Sequence, residues 1–76
     1  MKIYLTNYEK LIYEAEKQWY IENHAEAVKF YKLALKEQQV GRITQKSVLS
    51  NIVELQDMII EELRNKIKLL KKLTKT

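Results

Sequence analysis

The chain has 76 residues, no cysteine, no proline and one glycine, with 46% hydrophobic and 32% charged side chains and a formal net charge of +4. That length holds one small domain, and without cysteine there is neither a disulfide framework nor a thiolate metal site, while a single histidine, His24, cannot form an imidazole cluster. Apolar burial must hold such a fold, in a composition typical of globular chains rather than disordered tails or membrane spans.

At the N-terminus, MKIYLTNYEK contains one lysine and a three-residue apolar stretch, too little for a targeting segment, and no apolar run in the chain exceeds three residues. The expected compartment is the cytoplasm. Thr6-Asn7-Tyr8-Glu9 has the order of a capping box, in which a hydroxyl and a carboxylate satisfy amides left unpaired by the first helical turn. Helix 1 is therefore predicted over about 7–21. Tyr8, Leu11, Ile12, Ala15 and Trp19 recur at steps of three and four on one face, with Lys10, Glu14 and Lys17 on the other.

Asn23-His24-Ala25-Glu26 has the same capping order and starts helix 2 after a tight turn, making an antiparallel hairpin. Ala27, Phe30, Tyr31, Ala34 and Leu35 form its inner face, where small side chains at 27 and 34 allow a close approach to helix 1. On that reading Trp19 and Tyr31 are core or core-edge aromatics rather than a ligand box. The end of helix 2 has two readings. Gly41 can act as a C-cap with Thr44 capping the next helix, or helix 2 can run to about Lys46 and break near Ser47–Asn51. We place the turn within 41–47, so helix 2 covers about 24–41 and helix 3 about 47–72.

Helix 3 carries Val48, Ile52, Leu55, Ile59, Leu63, Ile67 and Leu70 at an average step of about 3.67, near the period of a straight helix and unlike a heptad zipper along the full length. Met58, Ile60 and Leu69 fall off this seam and form a second apolar edge. The net charge also sits here. Residues 1–40 balance six basic against six acidic side chains, and 43–63 hold Lys46 against Glu54, Asp57, Glu61 and Glu62, whereas 64–76 contain Arg64, Lys66, Lys68, Lys71, Lys72 and Lys75 with no acid. Cations suit the negative end of a helix dipole, and the same tail suits phosphate or an anionic lipid surface.

The residues for catalysis are missing. There is no cysteine nucleophile and no Gly-rich phosphate loop, and Glu61-Glu62 have no Glu-x-x-His companion for a carboxylate metal site. Only Arg42 and Arg64 are available for base reading, and no helix-turn-helix pattern stands out. The expectation is an all-α, antiparallel three-helix bundle over 1–76, without catalytic residues, metal or cofactor.

Leu11, Ala15, Ala27, Tyr31 and Ala34 stand at the packing positions of a tetratricopeptide-type hairpin, which the stretch Leu11–Ala34 resembles. One such hairpin completed by a long third helix, in a chain of this size, looks like the microtubule-interacting-and-trafficking (MIT) domain. EAEKQWYIENHAEAVKFYKLAL is similar to that family's first turn and second helix, and RNKIKLLKKL to its basic third-helix ending. The resemblance implies a non-catalytic module like those at the N-terminus of membrane-remodelling AAA ATPases, binding short tail motifs of ESCRT-type filament subunits. Such motifs lie as helices between helices 2 and 3 or extended between helices 1 and 3. Carried onto this chain, Leu55, Met58, Ile59, Glu62, Leu63 and Lys66 line the groove. Family members that take helical motifs often present acids late in helix 3, where this chain has Arg64, Lys66 and Lys68. A motif with acidic or C-terminal carboxylate groups fits that edge better.

Two other readings remain open. One is a small regulatory or structural protein, from a mobile element for instance, that forms a homodimer through the helix-3 edge, since the core of so short a chain is marginal. The other treats Arg64, Lys68, Lys71, Lys72 and Lys75, opposite Ile67, Leu70 and Leu73, as a basic amphipathic helix for anionic membrane or RNA.

Overall fold

The computed structural model describes residues 5–74, which form α1 (Asn7–Tyr20), α2 (His24–Ala34) and α3 (Gln45–Thr74). The capping box opens α1 as expected: the Glu9 amide donates to Thr6 Oγ1 and the Thr6 amide donates to Glu9 Oε1, each at 3.2 Å. The helix closes on a reversed turn in which the Glu22 amide donates to the Trp19 carbonyl (2.9 Å) and the Asn23 amide to the Gln18 carbonyl (2.8 Å). That is a Schellman arrangement, and it puts Glu22 at φ +62°, a left-handed position that usually falls to glycine. Asn23 departs from its expected role. Its side chain makes no capping bond and instead donates from Nδ2 to Gln18 Oε1 across the turn (3.2 Å).

The second helix ends at Ala34, well before residue 41. Past it the amides of Lys36 and Glu37 bond three residues back, to Leu33 and Ala34, so the coil tightens and stops. Leu35 and Ile43 turn in against the core, whereas Glu37-Gln38-Gln39 offers no apolar face on which a longer helix could lie. Gly41 is not a C-cap. It lies inside the 35–44 connection at φ +82°. The third helix starts at Gln45, slightly earlier than expected, with Thr44 as its cap: the Ser47 amide donates to Thr44 Oγ1 (3.1 Å) and the Gln45 amide to Gln39 Oε1 (3.1 Å).

Tyr8, Ile12 and Ala15 of α1, Ala27, Val28, Tyr31 and Ala34 of α2, and Val48, Ile52 and Leu55 of α3 make one core, with Leu11, Trp19, Phe30, Leu35 and Ile59 at its margin. Trp19 meets Tyr31 edge to face, ring centroids 6.4 Å apart, so both are packing aromatics. Contacts between α2 and α3 run in opposite chain order, His24 with Glu62 and Tyr31 with Asn51, which makes α3 antiparallel to α2. The expected all-α, antiparallel three-helix bundle is therefore present.

Its proportions are unequal. At 1.5 Å per residue α3 is about 45 Å long against about 16 Å for α2, and every residue from 60 to 74 is exposed. The radius of gyration is 16.3 Å, where a compact domain of this length has about 11 Å.

Tyr8 Oη donates to the Ile43 carbonyl (2.7 Å) and ties the connection to α1. Burial raises the pKa of Tyr8, and burial followed by the charge of Glu16 raises that of Tyr31, partly opposed by the hydrogen bond from Asn51. A phenol whose pKa is higher folded than unfolded gives stability that is complete below about pH 10 and is lost as pH rises through the folded value. Alkaline titration by circular dichroism is expected to show unfolding that begins above about pH 10 and moves to higher pH in Tyr8→Phe. An unchanged onset would contradict the assignment.

Candidate interaction surface

On a helix that turns 100° per residue, the six α3 positions expected to line one groove spread over about 140°, and their surroundings differ. Leu55 is fully buried and Ile59 packs on the core margin. Glu62 Oε1 lies 2.5 Å from Nδ1 of His24, whose side chain is 13% exposed, so this carboxylate pins the first residue of α2 and meets the positive end of its dipole. Met58, Leu63 and Lys66 are exposed, as is the bonded Glu62, whose side chain is half accessible. Met58 stands two turns after Asn51 and one before Glu62, both bonded to α2, and so lies on the α2 edge of α3. Leu63 lies on the opposite edge with Ile60 and Ile67.

A shallow depression of about 350 Å³ lies on the outer side of α2, over Ala25, Val28 and Leu33 and rimmed by Lys29, Lys32 and Lys36. Of its apolar lining Ala25 and Leu33 (38%) are exposed while Val28 (8%) belongs to the core, and the rim holds three cations and no acid. The sequence signal was present: Ala25, Val28 and Leu33 are apolar residues outside the stripe of Ala27, Tyr31 and Ala34, yet with lysines at steps of three and four this side reads as a solvated face.

Arg64, Lys68, Lys71 and Lys72 project from the exposed half of α3, and Lys75 lies outside the described residues. Among the described residues no three His, Cys, Asp or Glu side chains come together as a metal site, and no helix is long and apolar enough to cross a membrane. Comparison of the chain with protein-family profiles, curated proteins and solved structures found no match.

Proposed function

We propose that this chain is a non-catalytic, cytoplasmic protein-interaction module of MIT type, which captures a short acidic motif from a filament subunit of the ESCRT kind. The observation that carries the reading is the lysine-rimmed apolar depression on α2. An extended or helical segment with apolar anchors would lay them over Ala25 and Leu33, and its carboxylates would meet Lys29, Lys32 and Lys36. The basic residues Arg64, Lys66 and Lys68, where members of the resembled family often carry acids, suit the same class of ligand by charge.

The test is titration of isotopically labelled protein with acidic tail peptides of such filament subunits and with their Asn/Gln counterparts. Amide shifts are expected at Val28, Leu33 and Met58 with the acidic peptides, and Lys29→Glu combined with Lys32→Glu should weaken binding at least tenfold. Binding that is equally strong with the neutral peptides, or no shifts at millimolar peptide, would remove the reading.

A further inference from the structure

Two apolar stripes run along α3 on different faces, each in alternating steps of four and three. The inner one, Val48, Ile52, Leu55 and Ile59, packs on the hairpin. The outer one is solvent-facing: Leu49 (53% exposed), Val53 (58%), Ile60 (47%), Leu63 (52%), Ile67 (51%) and Leu70 (60%). With the exposed Gln56 and Thr74 it advances in unbroken alternating steps of four and three, the spacing of a heptad seam. Every first heptad position is β-branched (Val53, Ile60, Ile67, Thr74), and the fourth positions are Leu49, Gln56, Leu63 and Leu70. Reading both stripes as one seam inserts the successive steps of four from Ile59 to Leu63 to Ile67, which lengthens the average and hides the heptad.

We propose that a second copy of this chain covers the outer stripe, the two α3 helices running antiparallel about a twofold axis between Glu61 and Glu62. In that register Ile60 meets Leu63 of the second copy, Val53 meets Leu70, Gln56 meets Ile67 and Leu49 meets Thr74, so every seam residue has a partner. Charge sets the direction. Asp57 and Arg64 flank the seam on the same side, and antiparallel packing brings each beside the other's copy, twice by symmetry. It also lays the basic stretch 64–72 along the partner's Glu54, Asp57 and Glu61. A parallel pair would match Gln56 with its own copy but would set Lys66 against Lys71 twice and place the two acid-free ends side by side. The seam spans about 38 Å, and its half-exposed side chains show that the hairpin does not obstruct it. It lies on the α3 edge away from Met58, so the dimer leaves the α2 depression open and does not rest on the motif-binding reading.

Light scattering on the eluting full chain is expected to give twice the 9.1 kDa chain mass at micromolar concentration, and Ile67→Asp, at an exposed position, should give a folded monomer by circular dichroism. Arg64→Glu should weaken the dimer tenfold or more, and adding Asp57→Arg should restore it. Since the chain has no cysteine, direction can be read from disulfides. Gln56→Cys mixed with Ile67→Cys should cross-link, whereas Ile67→Cys alone should not, because its two copies lie about 16 Å apart in this register. A monomer up to millimolar concentration overturns the proposal, as does a monomer that loads onto phosphatidylserine vesicles through the same stripe. Ready self-cross-linking of Ile67→Cys overturns the antiparallel register.

Discussion

Leu55→Ala is expected to leave the chain largely unfolded near room temperature. Leu55 is fully buried where α3 meets the hairpin, and truncating such a side chain costs about 2–5 kcal/mol in lost transfer energy and residual cavity. A chain of this length has roughly 4–11 kcal/mol in all at 0.05–0.15 kcal/mol per residue, and a core of ten buried residues among those described places it at the low end. Leu63→Ala removes the same atoms from a side chain 52% exposed and should change the stability of the monomer by less than about 0.5 kcal/mol. Thermal melts at a concentration below that of any self-association check the contrast. Equal melting temperatures for the two variants would mean that α3 is not docked as described.

Ala27→Leu is expected to have the second largest effect, in the opposite sense of volume. Ala15, Ala27 and Ala34 are all completely buried, and α1 and α2 approach closely because these side chains are single methyl groups. Three extra carbons at 27 must either push the helices apart or force neighbouring rotamers, at about 1–3 kcal/mol. Ala25→Leu, on the exposed side of the same helix, should be close to neutral. Urea midpoints read the difference, and an Ala27→Leu midpoint equal to that of the parent would show that the helix crossing is looser than its burial implies.

Much of the architecture was legible in the sequence, because the signals there were local. The Thr6 to Glu9 box, the alternation of Ala27, Tyr31 and Ala34 and the Thr44 cap each depend on residues within a turn or two, and each is present. The end of α2 was not legible. It is decided by Leu35 and Ile43 packing on the core and by Gln39 reaching the first turn of α3, contacts that no propensity records. Asn23 likewise carries a good capping side chain, but Gln18, brought close by the turn, takes it. For the surface, the sequence located the exposed apolar residues on α3 without separating its edges, since which of Leu55, Met58 and Leu63 is free depends on where α2 lies. The depression on α2 escaped because three lysines over three apolar residues look like any wetted helix face until the floor is seen.

The order of helix contacts has a consequence for how the chain assembles. α1 lies on α2 and α2 on α3, while no Cα of α1 comes within 8 Å of one in α3. Both helix pairs in close backbone contact thus join neighbours along the chain, so loop closure is cheap at each step and contact order is low, the topology associated with rapid folding. The Tyr8 hydrogen bond to Ile43, across 35 residues, is a clasp added to that local scheme. Such a chain can grow by accretion, the hairpin forming first and the long helix settling onto it.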